Sequence, residues 1–130
     1  MKILSSMLIL TAVLFAGCQS TPIEGKWQYD GGIYNGKTRE AAPEFTMQRT
    51  YAADTYEGHV IEGEHQERYT AGTYEVKKDS LFLTSTFSNQ PSQLTGRTQA
   101  YQFQVNEGKL TIKGVLPNGM QVEEYWKKVD

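Results

Sequence analysis

Two charged residues lie at positions where the sequence otherwise places apolar side chains. Arg49 is in phase with the apolar residues of one two-residue alternation, and Glu124 is in phase with those of another. These in-phase neighbours are Phe45, Met47, Tyr51, Val122 and Trp126. A charge on the apolar face of a strand is costly unless it is paired or hydrated. The pattern leaves three interpretations open: a polar floor that binds a ligand's carboxylate or hydroxyl group, two residues at the rim of a barrel, or a pair with each other.

Aromatic side chains supply the other candidate binding residues. The sequence contains eight tyrosines and two tryptophans. Such side chains line binding pockets because they combine apolar area with one polar tip, and they are also ordinary strand residues. For Tyr74, Tyr101 and Trp27 the favoured interpretation is core packing. The candidate ligand-binding set consists of Arg49, Tyr74, Tyr101, Glu124 and Trp126.

Histidine and glutamate residues cluster around one predicted hairpin, and both residue types can ligate Zn²⁺. The cluster consists of His59, Glu62, Glu64, His65 and Glu67. A three-residue loop at 62–64 places His59 and His65 on the same face, whereas a two-residue loop places them on opposite faces. The favoured interpretation is a solvated acidic hairpin, and we expect neither a metal ion nor a cofactor.

The remaining patterns give no support for catalysis or for nucleic-acid binding. There is no Ser-His-Asp arrangement in a supporting context and no glycine-rich phosphate loop before a helix. Glu123 and Glu124 are adjacent in a predicted strand, so their carboxylates do not flank one bond as those of a glycosidase do. The formal net charge is −2, and no basic patch with interleaved aromatic residues is present. We therefore expect that the protein is not an enzyme and does not bind nucleic acid.

The first eighteen residues have the composition of an export signal. Lys2 precedes a largely apolar stretch at 3–15, and the small Ala16 and Gly17 come directly before Cys18, the only cysteine. A charged start, a short apolar run and a small-residue cleavage site are typical of a secretory signal. The run is shorter than the roughly 20 residues that a helix needs to cross a bilayer.

Residues 14–18 resemble the lipobox of bacterial lipoproteins, which implies cleavage before Cys18 and attachment of lipid to it. The alternative is a plain secretory signal that leaves a free thiol. Two or three acyl chains on one residue form a stable membrane anchor. Gln19 follows, and the acidic residue that marks inner-membrane retention is absent, so we expect the outer membrane, on its periplasmic or its surface side. The chain divides into a signal peptide at 1–17, a lipidated tether at 18–22 and one domain at 23–130.

The domain shows repeated two-residue alternation and no sustained helical periodicity, which is typical of half-buried strands. Turn residues separate the alternating segments, and Asn118-Gly119 is the strongest hairpin signal. Longer connections are predicted at 31–43 and 88–96. The eight predicted strands are 24–30, 44–52, 55–62, 66–77, 80–87, 97–106, 109–116 and 120–129. A meander of this kind covers its edges by closing on itself, so the predicted fold is an all-β, eight-stranded antiparallel up-and-down barrel.

Three segments resemble a known family. The first strand opens with Gly25-Lys26-Trp27, which resembles the Gly-x-Trp signature of the lipocalins. Segments 72–83 and 119–129 look like parts of small lipocalin-like lipoproteins of Bacteroides-type Gram-negative bacteria. The resemblance covers about residues 23–130 and implies a lipocalin-like barrel in the cell envelope. Most members of that family have no assigned function.

The resemblance also implies roles for particular residues and leaves two functions open. Trp27 closes one barrel end, with Lys127 or Lys128 packing across it where lipocalins usually have Arg. An eight-stranded barrel encloses side chains or one small ligand. The first function is a membrane-anchored carrier of a small apolar or amphipathic ligand, which enters at the mouth bordered by 31–43 and 88–96. The alternative is an interaction or inhibitor module for an envelope protein, with a side-chain-filled barrel.

Overall fold

The structure is a computed structural model that describes residues 21–129, so the predicted signal peptide and Cys18 lie outside the described residues. This part of the chain forms nine β-strands. They are β1 (Gly25–Tyr34), β2 (Lys37–Arg39), β3 (Thr46–Tyr51), β4 (Thr55–Glu62), β5 (His65–Lys77), β6 (Ser80–Ser88), β7 (Thr98–Asn106), β8 (Lys109–Val115) and β9 (Gln121–Val129). Within it, no helix has the length and apolar character that crossing a membrane requires.

Eight of these strands close into a barrel. β1 and β3 to β9 pair antiparallel in chain order, and β9 returns to pair with β1 from Lys26↔Val129 to Tyr34↔Val122. Closure removes the unpaired edges that an open sheet would leave. The predicted eight-stranded antiparallel barrel is confirmed.

The prediction of an irregular connection at 31–43 is wrong in its first part. β1 continues to Tyr34, and the short β2 folds back on it with Tyr34 opposite Lys37. The turn residues Asn35 and Gly36 both have positive φ, at 50° and 80°. Asn-Gly is the residue pair that a tight hairpin turn of this kind favours, so the signal was present in the sequence. β2 pairs with β1 alone and stands outside the closed ring.

Two of the barrel's β-bulges, in β1 and β5, change which side chains face the cavity. In β1 the pairing with β9 shifts between Tyr29 and Gly32, because two residues of β1, Asp30 and Gly31, oppose the single residue Tyr125 of β9. In β5 the residue Tyr69 is extra, because Thr70 pairs with Gly58 and Arg68 with the next residue of β4. A bulge locally reverses the alternation of a strand and re-aims its side chains.

The core fills one end of the barrel, where β1 begins and β9 ends. Trp27 is 1% exposed there, and its Nε1 donates a hydrogen bond of 2.8 Å to the carbonyl oxygen of Ile23. We call this the closed end. The buried apolar residues of the whole barrel are Ile23, Trp27, Tyr51, Tyr56, Ala71, Tyr74, Leu81, Leu83, Tyr101, Leu110, Ile112, Val122 and Trp126.

Candidate ligand-binding site

A cavity of about 550 Å³ lies at the other end of the barrel, which we call the open end. Its wall includes Tyr29, Arg49, Tyr69, Glu124 and Trp126. Residues 39–43 and the side chains of Phe45 and Met47 border the mouth. The cavity therefore combines residues of β1, β2, β3, β5 and β9 with the connection between β2 and β3.

Arg49 enters the cavity from β3. It lies opposite Trp27 and Gly58 in the neighbouring strands, so it faces the barrel interior. Its guanidinium carbon is 4.7 Å from the centroid of the Trp126 ring, and its Nη1 donates a long hydrogen bond of 3.3 Å to the Tyr51 hydroxyl. A guanidinium group against an aromatic face gains cation–π energy, so the aromatic wall holds this side chain in place.

Arg49 is a half-buried cation whose Nε is inaccessible to solvent, and it has no ion-pair partner among residues 21–129. Burial opposes its charge, but the nearby Tyr51, Tyr69 and Glu124 raise the pKa of the guanidinium group above its usual range. The interpretation in which Arg49 and Glu124 form a direct pair is therefore not what the structure shows. Glu124 acts on Arg49 at longer range.

Glu124 is held by a chain of tyrosine hydroxyl groups. Tyr34 donates a hydrogen bond of 2.9 Å to Oε2 of Glu124, and the hydroxyl groups of Tyr29 and Tyr34 are 2.7 Å apart. Because Tyr34 gives its proton to Glu124, Tyr29 is the donor in that second bond. Burial, and next the charge of Glu124, raise the pKa of Tyr34 well above its ordinary value. Tyr34 thus stays protonated and keeps one carboxylate oxygen occupied.

Three polar atoms around the cavity are buried and have no hydrogen-bond partner within the described part of the chain. They are Nε of Arg49, the hydroxyl of Tyr69 and Nε1 of Trp126. Buried polar groups are nearly always hydrogen-bonded, so three exceptions around one cavity are informative. By contrast, an outer groove of about 560 Å³ along β7 to β9 has its charged side chains Lys113 and Glu123 paired at 3.5 Å.

At the closed end, Lys128 is the lysine that packs across Trp27. Its Nζ lies 4.7 Å from the centroid of the Trp27 ring and donates a hydrogen bond of 2.8 Å to the carbonyl oxygen of Glu24. Lys127 lies opposite Gln28 and Lys109 and is exposed. The side chain of Lys128 therefore takes the position that the lipocalin resemblance implies.

Comparison with known proteins identifies the fold and goes no further. No protein-family model matches the chain. No curated protein matches it either. An uncharacterised protein from Bacteroides eggerthii superposes with a TM-score of 0.59 at 15% identity, over 82% of this chain and 99% of that one. A lipocalin-like protein from Bacteroides uniformis superposes with a TM-score of 0.59 at 12% identity, over 82% and 98%.

The fold is lipocalin-like. The predicted resemblance to lipocalin-like domains is confirmed for the barrel, whereas the lipoprotein prediction continues to rest on residues 1–18 alone. At these identities the likeness describes the course of the backbone. The binding residues of this lipocalin-like barrel therefore follow from the positions of its own side chains.

Two of the candidate residues do not line the cavity. Tyr74 lies toward the closed end, where its hydroxyl donates to the carbonyl oxygen of Ala52 and lies 2.8 Å from Oγ1 of Thr21. Tyr101 packs against Gly114, where an added β-carbon would lie 2.6 Å from its ring. Burial raises the pKa of Tyr101 to about 12. The structure therefore brings Arg49, Glu124 and Trp126 together and leaves these two tyrosines in the packed part of the barrel.

The two predicted long connections contribute unequally to the mouth. Residues 39–43, which belong to the first, border the cavity directly. The second packs beside β5, because the backbone N–H of Asn89 donates to the carbonyl oxygen of Tyr69 and its side-chain amide to Glu67, both at 3.1 Å. It therefore supports the Tyr69 backbone from outside.

The histidine hairpin has a two-residue turn, because Glu62 pairs with His65. His59 and His65 then lie on opposite faces, which is the second of the two predicted arrangements. His59 instead lies 3.9 Å from Glu57. Among residues 21–129 no group of three or more histidine, cysteine, aspartate or glutamate side chains is arranged to hold a metal ion.

The residues of the cavity wall that sequence reasoning missed include Arg39 and three tyrosines, Tyr29, Tyr34 and Tyr69. Tyr29 lies two residues after Trp27, so two-residue alternation alone would have placed it on the same inward face. Tyr34 is out of phase with Tyr29 and reaches the interior only because of the bulge in β1. Tyr69 similarly depends on the bulge in β5, which turns its ring toward Gly58.

Proposed function

We propose that the protein is a lipid-anchored binding protein of the outer membrane whose lipocalin-like barrel takes up a small amphipathic molecule at its open end. The observation that supports this proposal is the cavity of about 550 Å³ with a half-buried cation in its wall, unpaired among the described residues. Ligand sites are concave and mostly apolar, with a few polar groups that fix orientation. Here Tyr29, Met47 and Trp126 supply apolar area, and Arg49 and Glu124 supply the polar groups.

Packing in the rest of the barrel restricts the ligand to the open end. Trp27, Leu81, Leu110 and Ile112 are each at most 1% exposed. A barrel filled along its whole length would support the alternative, an interaction or inhibitor module for an envelope protein. A barrel that is filled at one end and hollow at the other supports ligand binding.

The N-terminal tether gives the proposal an orientation. Thr21 contacts Tyr74 toward the closed end of the barrel. Cys18 precedes Thr21 by three residues, which span at most about 11 Å when fully extended. A lipid on Cys18 would therefore hold the closed end beside the membrane, and the cavity would open away from it. Ligand exchange would take place with the surrounding compartment.

Native mass spectrometry of the lipidated protein, purified from the envelope of its own host in detergent, tests the proposal. The parent protein should carry a molecule of defined mass. Met47→Trp, which fills the cavity, should lose it, and Gln48→Trp, on the opposite face of β3, should keep it. A parent protein without any retained molecule, or equal retention in the two variants, contradicts binding in this cavity.

A further inference from the structure

We propose that the polar group of the ligand is a carboxylate that binds beside Arg49. The inference rests on the proposed ligand-binding function and names the chemical class of the ligand, a monocarboxylic acid with an apolar body. It is carried by the charge of Arg49, by the three unpartnered hydrogen-bond donors and by the apolar course of the wall toward the mouth.

Arg49 lacks a counter-ion in the described part of the chain. Withdrawing a charge from water without giving it a partner is unfavourable. Arg49 is half-buried, its inaccessible Nε has no acceptor, and the side chain has one long hydrogen bond to Tyr51 and no ion pair within residues 21–129. Glu124 does not fill this role, because it makes no ion pair with Arg49 and its Oε2 instead accepts a hydrogen bond from Tyr34. A guanidinium group binds a carboxylate through two parallel hydrogen bonds. A carboxylate ligand would therefore supply the partner that the barrel lacks.

The three unpartnered atoms can all donate hydrogen bonds. Nε of Arg49 and Nε1 of Trp126 can only donate, and the Tyr69 hydroxyl can donate as well. A group that offers only acceptor oxygens matches all three. A ligand ammonium group would instead add donors and a second positive charge beside Arg49, so the geometry disfavours amines.

The charge of Glu124 favours a singly charged carboxylate over a doubly charged group. Glu124 lies in the same wall and carries a negative charge close to Arg49, whose pKa it raises. A group with two negative charges would be repelled by Glu124 more strongly than a group with one. A planar, singly charged carboxylate therefore fits better than a phosphate.

Large apolar side chains line the path from Arg49 to the mouth. Toward the open end, Met47 lies on the same face of β3 as Arg49, and Phe45, which directly precedes β3, is 38% exposed at the mouth. Four residues of strand span roughly 13 Å. Ala41, Ala42 and Pro43 continue this border, and the charged Arg39 and Glu40 lie beside them at the mouth. An apolar body would lie along the apolar side chains while the carboxylate stays at Arg49.

The test compares an acid with its ester. The probes are 11-(dansylamino)undecanoic acid and its methyl ester, titrated by fluorescence. The protein is the full-length chain carrying Cys18→Ser, so that no attached acyl chain competes with the probe. The variants are Arg49→Met and the control Arg68→Met, since Arg68 lies outside the cavity and is exposed next to Glu57. Charge-assisted hydrogen bonds predict an acid affinity about 10- to 100-fold above that of the ester in the parent and in Arg68→Met.

Arg49→Met should abolish this preference by weakening the acid and leaving the ester unchanged. Arg49→Lys keeps the charge without the planar fork and should give an intermediate ratio, which also guards against a folding defect in Arg49→Met. Equal binding of acid and ester by the parent overturns the carboxylate assignment and leaves the proposed function standing. Failure of both probes to bind overturns both.

Competition experiments decide between anionic head groups. Dodecanoic acid should displace the bound probe more effectively than dodecyl phosphate, and dodecylamine should be the weakest of the three. Stronger displacement by dodecyl phosphate would transfer the site to phosphate-bearing ligands and overturn the carboxylate assignment.

Discussion

Several tyrosine hydroxyl groups become weaker acids inside the barrel. Burial raises the pKa values of Tyr29, Tyr34, Tyr51 and Tyr101 above their ordinary range. The cause is that a tyrosinate loses its hydration inside the protein, so the neutral form is favoured. The folded barrel therefore depends on these groups remaining protonated.

Stability should consequently fall at high pH, and Tyr101 should account for part of the fall. Its pKa of about 12 in the folded state lies above the value of about 10 expected when unfolded. Its contribution is therefore complete below about pH 10 and is lost as the pH rises through about 12, at a cost of up to about 3 kcal/mol. Tyr101→Phe should show a smaller decrease in the free energy of unfolding between about pH 9 and about pH 12, measured by urea titration. Equal decreases in parent and variant would count against this interpretation.

Trp27 should be among the most costly residues to truncate. It is 1% exposed, hydrogen-bonded to Ile23 and covered by Lys128. Trp27→Ala should lower the free energy of unfolding by about 3–5 kcal/mol in a denaturant titration. Lys127→Ala, a change at an exposed neighbour, should alter it by less than about 0.5 kcal/mol. A loss below about 1 kcal/mol for Trp27→Ala would mean that its ring does not close the barrel.

At the scale of single residues, the sequence predicts which face of a strand a side chain occupies better than it predicts which residues that side chain contacts. Alternation correctly placed Arg49 and Glu124 on inward faces, but it left their partners open. The hydrogen bond from Tyr34 to Glu124 joins residues 90 positions apart and depends on a bulge. A pattern within single strands carries no information about such a contact.

At the scale of elements, β-bulges and glycines shape the site. The bulge in β5 brings Tyr69 over Gly58, and at Gly58 an added β-carbon would lie 2.7 Å from Cζ of Tyr69. The Asn35-Gly36 turn sends β2 back along β1 toward the mouth. The existence of the eight barrel strands followed from alternation and turn residues, whereas β2 lay within a predicted connection. The bulges were not predictable, because each depends on the register between two strands.

Two glycine substitutions should have costs in a definite order. Gly58→Ala pushes against the Tyr69 side chain, which can move, whereas Gly72→Ala would overlap the backbone carbonyl of Thr84, which cannot move without disturbing the sheet. We expect losses of about 1–3 kcal/mol for Gly58→Ala and a larger loss for Gly72→Ala. Denaturant titrations of both variants measure the order, and a smaller loss for Gly72→Ala would refute the packing described for β5 and β6.

At the scale of the whole molecule, the barrel has one packed end and one hollow end. The fold class was predictable because strands, tight turns and the Gly25-Lys26-Trp27 motif all indicated the same closed meander. The cavity was not, because its volume is what remains after side chains from several strands have packed. The functional proposal therefore depends on the structure, and the anchor depends on the sequence before residue 21.

The proposed anchor predicts how the molecule stands on a membrane. In vesicles that contain a quencher lipid, a dye on Asp79→Cys, in the turn between β5 and β6, should be quenched more than one on Glu64→Cys, in the turn between β4 and β5. These turns lie at opposite ends of the barrel, because successive connections of a meander alternate between its ends. Adding Cys18→Ser should release either labelled protein from the vesicles without changing its thermal melt. Vesicle retention of Cys18→Ser would refute the anchor, and stronger quenching at Glu64→Cys would refute the orientation.

The two tryptophans allow the most direct test of ligand binding at the open end, because Trp126 lines the cavity and Trp27 does not. In full-length chains carrying Cys18→Ser, Trp27→Phe leaves Trp126 as the only reporter and Trp126→Phe leaves Trp27. Bromine quenches indole fluorescence at short range, so each variant is titrated with 2-bromododecanoic acid and with 2-bromododecan-1-ol. The account predicts saturable quenching of Trp126 by at least one of these molecules, and weaker quenching of Trp27 by the same molecule. Absence of saturable quenching of Trp126, or equal quenching of both tryptophans, would contradict a binding site at the open end of the barrel.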